Sequence, residues 1–289
     1  MNLQSAQQPP MSTEGRNQRR RISRIGGLLA VVAIAACDST SGDGTNPNGS
    51  TPTNPPGSSG ENPAFGTTDA GVTEQKCETL NIGIIGVPGE NASSNFQSWL
   101  KNAGTTATRI HTERDNVLTS AALAPFDVVI IDHLMHDYSS DEAAAFQTWL
   151  SAGKGAVSMS GYLNAPEVDF RANALLAPLG VAYAGARFDG PITQFVPHPI
   201  TQGLTSITFL GGYAVEPIDD VTSTRTAIAS EGDRNVGYTV ELGQGRAFVW
   251  GDEWIQHDSE WATLVEIQQL WLQIFAWLAP NRCKLNLVK

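Results

Sequence analysis

Short apolar runs and amphipathic stretches take turns along the chain from residue 80 onward. Residues 80–86 (LNIGIIG) form an Ile-rich run that stops at Gly86 and Pro88, the pattern of a buried strand. Residues 91–102 put Phe96, Trp99 and Leu100 on one face of a helix, and Gly104 closes it. Residues 106–111 predict a second strand, with His111 at the end of what reads as an inner strand. Residues 126–132 (FDVVIID) predict the clearest buried strand and residues 156–160 a fourth. Between these two, Ser139 followed three positions later by Glu142 makes a capping box. Phe146, Trp149 and Leu150 repeat the stripe of the first helix, and Gly153 ends the second. The near copies FQSWL and FQTWL are what two helices packing alike on one sheet require. The order β-α-β-α predicts a parallel sheet with helices on its faces.

The second half is richer in strands. Residues 206–210, 226–230, 236–242 and 246–251 are candidates, and the short turn Gly243-Gln244-Gly245 predicts that the last two form a hairpin. A final helix is expected from Asp258, a good N-cap residue, to Pro280, with Trp261, Leu264, Val265, Trp271, Leu272, Phe275 and Leu278 as its apolar stripe. The Trp residues read as core. Trp254 is the exception, because it follows the acidic end of a strand. His198 precedes a Pro and reads as a turn residue.

Composition separates the two ends of the chain. The net charge is −11, yet five Arg and one Glu precede residue 37, so the remainder carries about −15. A surface that acidic repels phosphate backbones, and nucleic acid is not an expected partner. Hydrophobic residues make up 41% of the chain, enough for a sizeable core.

Residues 1–36 read as an address. Arg16, Arg19, Arg20, Arg21 and Arg24 form a basic region, and the apolar run 25–36 that follows is too short to span a bilayer. The run ends Ile34-Ala35-Ala36-Cys37, which resembles the lipobox of bacterial lipoproteins. That resemblance implies cleavage before Cys37 and lipidation of its thiol, and hence a membrane as partner and the exported face of the cell envelope as location. Residues 37–76 are dominated by Ser, Thr, Gly, Asn and Pro and are expected to be a disordered tether. The two other cysteines, Cys77 and Cys283, flank the globular part, residues 77–289, and suggest a disulfide joining its ends.

Four pieces carry a family resemblance: Asp127-Val128-Val129-Ile130-Ile131-Asp132, Trp149-Leu150-Ser151-Ala152-Gly153-Lys154-Gly155-Ala156-Val157, His198-Pro199-Ile200-Thr201-Gln202-Gly203-Leu204 and Gly243-Gln244-Gly245-Arg246-Ala247-Phe248-Val249. In that order they resemble the class I glutamine amidotransferase-like superfamily, near the trehalose-utilisation ThuA-like branch. The resemblance implies a flavodoxin-like three-layer α/β sandwich, here with a mostly parallel sheet and a C-terminal β-hairpin plus helix. Catalytic members carry a Cys inside a Gly-x-Cys-x-Gly turn after a strand. The corresponding turn here is Ser158-Met159-Ser160-Gly161-Tyr162, without a Cys, so glutaminase chemistry is not expected.

In a parallel sheet, ligands sit beyond the C-terminal strand ends. Four segments should meet there: Glu90 and Asn91; Asp132, His133 and His136; Ser160, Gly161 and Tyr162; and Asp252, Glu253 and Trp254 with His257 and Asp258. Carboxylates beside imidazoles can bind a metal, act as acid and base, or merely cap turns. No metal-binding spacing appears and no cofactor is expected. Two functions stay open: a non-catalytic envelope lipoprotein that binds a small ligand or an envelope protein, and a hydrolase of carbohydrate or amide substrates that uses the cleft Asp, Glu and His residues. The address gives a direct prediction. Replacing Cys37 by Ala moves the protein from the detergent phase to the aqueous phase on partitioning, because the lipid is the expected anchor. A variant still found in the detergent phase contradicts it.

Overall fold

A computed structural model describes residues 79–89, 93–161, 163, 165–219 and 221–280. The leader, the tether, Cys37, Cys77, Cys283, Glu90, Asn91 and Tyr162 lie outside the described residues. Five strands form the parallel part of the sheet: β1 (Ile82–Ile85), β2 (Thr108–Ile110), β3 (Val128–Ile131), β4 (Gly155–Ser158) and β10 (Gly245–Trp250). Their spatial order β2-β1-β3-β4-β10 is flavodoxin-like, with the direction of winding reversed between β1 and β3. β9 (Arg234–Leu242), β8 (Thr224–Glu231) and β6 (Gln194–Phe195) extend the sheet antiparallel beyond β10. The expected mostly parallel α/β architecture, with the β9–β10 hairpin and a C-terminal helical segment, is therefore present. His111 follows an edge strand, not an inner one, and takes a left-handed φ of 56°.

Alternate residues of the buried strands feed two cores. Val128 and Ile130 face one core with Phe96, Trp99 and Leu100 of α1 (Phe96–Asn102) and the stripe of α7 (Val265–Leu278). Val129 and Ile131 face the other core, with Phe146, Trp149 and Leu150 of α3 (Ser140–Ser151). The two similar helices thus pack alike, but on opposite faces of the sheet. Two short helices, α2 (Ser120–Leu123) and α5 (Asn173–Leu176), complete the second layer.

The final helix differs from the single one expected. It is broken at Leu264, whose backbone is extended, into α6 (Asp258–Thr263) and α7. Asp258 is the first helical residue, not the cap, and its carboxylate accepts from the amide and side chain of Asn95 at 3.3 and 2.9 Å. Before the break Trp261 stacks on Trp99; beyond it α7 buries Ile267, Leu270, Trp271 and Ile274.

A two-stranded ribbon, β5 (Val181–Ile192) with β7 (Ile207–Pro217), had no clear signature in the pattern. The strand expected over residues 206–210 continues through Gly211 and Gly212 as β7. Its first half buries Ile207 and Phe209 in the first core, and its second half buries Tyr213 and Val215 in the other. The ribbon therefore passes from one layer to the other beside the end of β10, where Tyr213 N donates to Gly251 O at 2.8 Å.

The capping box at the start of α3 is present and extends further than the sequence indicates. Glu142 is buried and accepts from Ser139 N and Oγ, both at 2.9 Å, from Leu118 N at 2.8 Å and from His136 Nε2 at 3.2 Å. Burial pushes its carboxyl up, but these four hydrogen bonds outweigh burial and hold it at about 2. A folded-state pKa below the unfolded one adds stability that is present above the unfolded value and is lost as pH falls through the folded one. The urea midpoint of the domain is therefore predicted to fall between about pH 4.5 and pH 2. In Glu142→Gln that slope should shrink and the neutral-pH midpoint should drop. Equal slopes in the two proteins would contradict this assignment.

Candidate functional site

Four parallel strands and the ribbon deliver the lining of one cavity of about 430 Å³. Its volume is within the usual range for small-molecule sites. Val87, Pro88 and Gly89 come from the turn after β1, His133 from the end of β3, and Gly161 and Leu163 from the turn after β4. Glu253, Trp254 and His257 come from the segment after β10, and the ribbon adds Arg187 and Leu210. The cavity thus lies beyond the C-terminal strand ends, where the fold places ligands. The turns after β1 and β3 are fastened together, since Val87 N donates to His133 O at 3.0 Å.

The sequence candidates divide into two groups. His133, Glu253, Trp254 and His257 line the cavity. The single 3₁₀ turn Glu253–Gln256 brings two of them together, with Glu253 Oε2 and His257 Nε2 2.8 Å apart. The Trp254 and His257 ring centroids are 4.0 Å apart. Burial lowers the pKa of His133, partly offset by the charges of Asp132, Asp169 and Glu253, so its imidazole is mainly neutral at pH 7.

Asp132, Ser160 and Asp252 do not line the cavity; all three serve the scaffold. Asp132 is 2% exposed, and its carboxylate takes Arg109 Nη1 at 2.6 Å and Gln256 Nε2 at 2.9 Å. Arg109 also reaches Gly86 O at 3.1 Å, which ties the ends of β1, β2 and β3 to the turn after β10. Asp132 is thus engaged in this network, whereas His133 and Glu253 line the cavity. Among the described residues no group of three His, Cys, Asp or Glu side chains could hold a metal. The Ser160 hydroxyl is fully buried and donates to Asp169 O at 2.7 Å, turned into the protein and away from the cavity. His136 and Asp258 are occupied elsewhere, by Glu142 and Asn95.

Two charged contributors, Asp169 and Arg187, and the apolar lining residues Val87, Pro88, Leu163 and Leu210 were not named from the sequence. Asp169 organises the turn after β4, accepting from Leu163 N and Ala165 N at 3.0 Å and from Tyr213 OH at 2.9 Å. Burial, followed by that bond to Asp169, raises the Tyr213 phenol to about 12, so it remains a donor. Arg187 sits where the β5–β7 register slips, between Ala184 and Phe188. Nothing in the local sequence marks it. The Gly211-Gly212 pair is the one available signal, since adjacent glycines in a strand indicate a close approach.

No family model matches the chain, and no curated protein matches it significantly. Among solved structures, the mmIFT52 N-terminal domain is similar at 14% identity with a TM-score of 0.53, over 67% of this chain and 96% of that one. Cytoplasmic Protein STM3548 from Salmonella typhimurium is similar at 15% identity with a TM-score of 0.52, over 71% of this chain and 100% of that one. A ThuA-like protein from Bacteroides uniformis aligns at 12% identity and a TM-score of 0.48, over 72% of this chain and 96% of that one. At such identities, the two likenesses with TM-scores above 0.5 show the α/β fold alone.

Asp252 supplies the test of the scaffold. It is fully buried and accepts from Leu210 N at 2.6 Å and Trp254 N at 3.1 Å. Burial drives its carboxyl well above the ordinary value, against the pull of those two amides. The associated stability is full below the unfolded pKa near 3.8 and is lost as pH rises to the folded pKa. Asp252→Ala is expected to lose about 1–3 kcal/mol at pH 7, because two buried amides lose their acceptor. Asp252→Asn should lose less and flatten the pH dependence above about pH 4. Unchanged urea midpoints in both variants would refute this role.

Proposed function

We propose that this chain is a lipid-anchored envelope protein whose α/β domain is a relative of the class I amidotransferase-like superfamily, near the ThuA-like branch, and works by binding a small molecule. Glutaminase chemistry has no place in this reading, since the turn after β4 carries no Cys. The observation that carries the proposal is the composition of the cavity: His133, Arg187, Trp254 and the Glu253–His257 pair face one space of about 430 Å³, while the hydroxyl of Ser160 is turned away into the backbone. The lipobox-like run ending at Cys37 and the Pro- and Ser-rich stretch after it support the anchor and tether; Cys77 and Cys283 support a bridge across the ends of the domain. An envelope protein docked through the same segments is the other ligand this reading admits.

The hydrolase reading draws on the 2.8 Å contact between Glu253 and His257. Such a carboxylate can orient an imidazole as a base. However, the second ring nitrogen of His257, Nδ1, is buried and meets no partner among the described residues, so it does not open toward a substrate. Binding without turnover is therefore favoured.

Thermal shift with a library of small polar molecules and divalent cations tests the proposal. A ligand at about one hundred times its Kd stabilises by roughly 2.7 kcal/mol, which shifts the midpoint by several degrees. His133→Ala and Trp254→Ala should abolish the shift, and Ser160→Ala should retain it. Hydrolysis of a chromogenic ester or glycoside that disappears in both Glu253→Gln and His257→Ala would instead install the hydrolase reading.

A further inference from the structure

We infer that the cavity selects a small organic anion, its oxyanion held by Arg187 and its apolar body lying along Leu163, Leu210 and Trp254. This inference rests on the ligand-binding reading above and adds the chemical class of the ligand.

The first argument is the state of Arg187. The domain is acidic, and Arg109, Arg171 and Arg234 each pair with a carboxylate. Arg187 makes no ion pair or hydrogen bond among the described residues, including with Glu253 of the same cavity. A guanidinium with five donors and no acceptor beside an apolar wall is suited to bidentate recognition of a planar oxyanion.

The second argument is how the side chain is held. The β5–β7 ladder loses register around Gly185-Ala186-Arg187, and this irregular segment places Arg187 across β7 at Gly211. A Cβ at Gly211 would lie 2.3–2.5 Å from the guanidinium, so a side chain there would displace the flexible end of Arg187 from its present place. Gly211 also has a φ of 80°, which other residues adopt poorly. The side chain of Arg187, an exposed residue, thus lies over bare backbone at Gly211. Its charge is felt by buried Asp252 and by Tyr213, both of whose pKa values it lowers against the larger effect of burial.

The third argument is the mouth of the cavity. Leu163 and Leu210 are 46% and 43% exposed, two of the few large hydrophobics left open on the described surface. Both line the cavity with Arg187, and Pro88, Val87 and Trp254 continue the apolar wall. Exposed apolar side chains clustered at a cleft mark a ligand contact. Glu253 also faces this space and would repel an anion. Its Oε2 is engaged by His257 at 2.8 Å.

Calorimetry on the full domain with benzoate, its neutral isostere benzamide, phenyl phosphate and inorganic phosphate tests the inference. Benzoate or phenyl phosphate should bind at least tenfold more tightly than benzamide, and inorganic phosphate more weakly than phenyl phosphate. The preferred oxyanion identifies the ligand as a carboxylate or a phosphate monoester. Arg187→Gln should remove the preference for the anion, and Arg187→Lys should restore part of it, since Lys offers a charge without the planar fork. Leu210→Ser should weaken the aromatic anions and leave inorganic phosphate unchanged. If benzamide binds as well as benzoate, or Arg187→Gln changes nothing while Trp254→Ala abolishes binding, the anion inference fails and the ligand-binding reading stands. If none of the probes and no library member binds, both fail.

Discussion

The molecule turns on one close crossing. Tyr213 N meets Gly251 O at 2.8 Å where the ribbon passes the end of β10. A Cβ on Gly251 would lie 2.0 Å from Tyr213 O, and one on Gly212 would lie 2.5 Å from Gly251 O. No side chain fits on either strand at that point. Where the backbones touch, β7 passes from burying Ile207 and Phe209 in one core to burying Tyr213 and Val215 in the other. The same crossing presents Leu210 and, through Gly211, Arg187 to the cavity. The far wall of the site is thus a by-product of how the two layers are joined.

Buried polar groups fix what the crossing positions. Asp252 ties Leu210 to the turn after β10 through two amides. Asp169 ties the turn after β4 to Tyr213. Asp132 ties the ends of β2 and β3 to Gln256. Each carboxylate is satisfied, and each is kept by the donors around it, not by exposure to a ligand. A cavity framed this way has walls with little freedom, which lowers the entropic loss when a ligand is ordered inside it. Among the described residues, the Glu253–His257 pair, His133 and Arg187 are those that bring charge or basicity to the space.

The parallel half of the fold was legible because its strands are buried on both faces and read as unbroken apolar runs, and because Ser139 and Glu142 announce their helix. The ribbon was not, since β5 carries Gly185, Ala186, Arg187, Asp189 and Gly190 where a strand signal needs alternation, and the glycines of β7 imitate a turn. The site was half legible. Residues after strand ends point to the cavity by topology, and His133, Glu253, Trp254 and His257 are indeed there. Topology does not say which way a side chain turns, so Asp132, Ser160 and Asp252 were counted with them although each has an internal partner. Arg187 depends on a register slip between strands far apart in sequence, which no local pattern encodes.

Amide hydrogen exchange on wild type and Gly212→Ala tests most directly whether the crossing governs the cavity. In the wild-type domain the amides of Leu210, Tyr213 and Trp254 should exchange slowly, together with those of β3 and β4. In the variant those three should exchange much faster while β3 and β4 stay protected, because the added Cβ cannot coexist with the carbonyl of Gly251. Unchanged protection at Leu210 and Tyr213 in a folded Gly212→Ala protein would contradict the account.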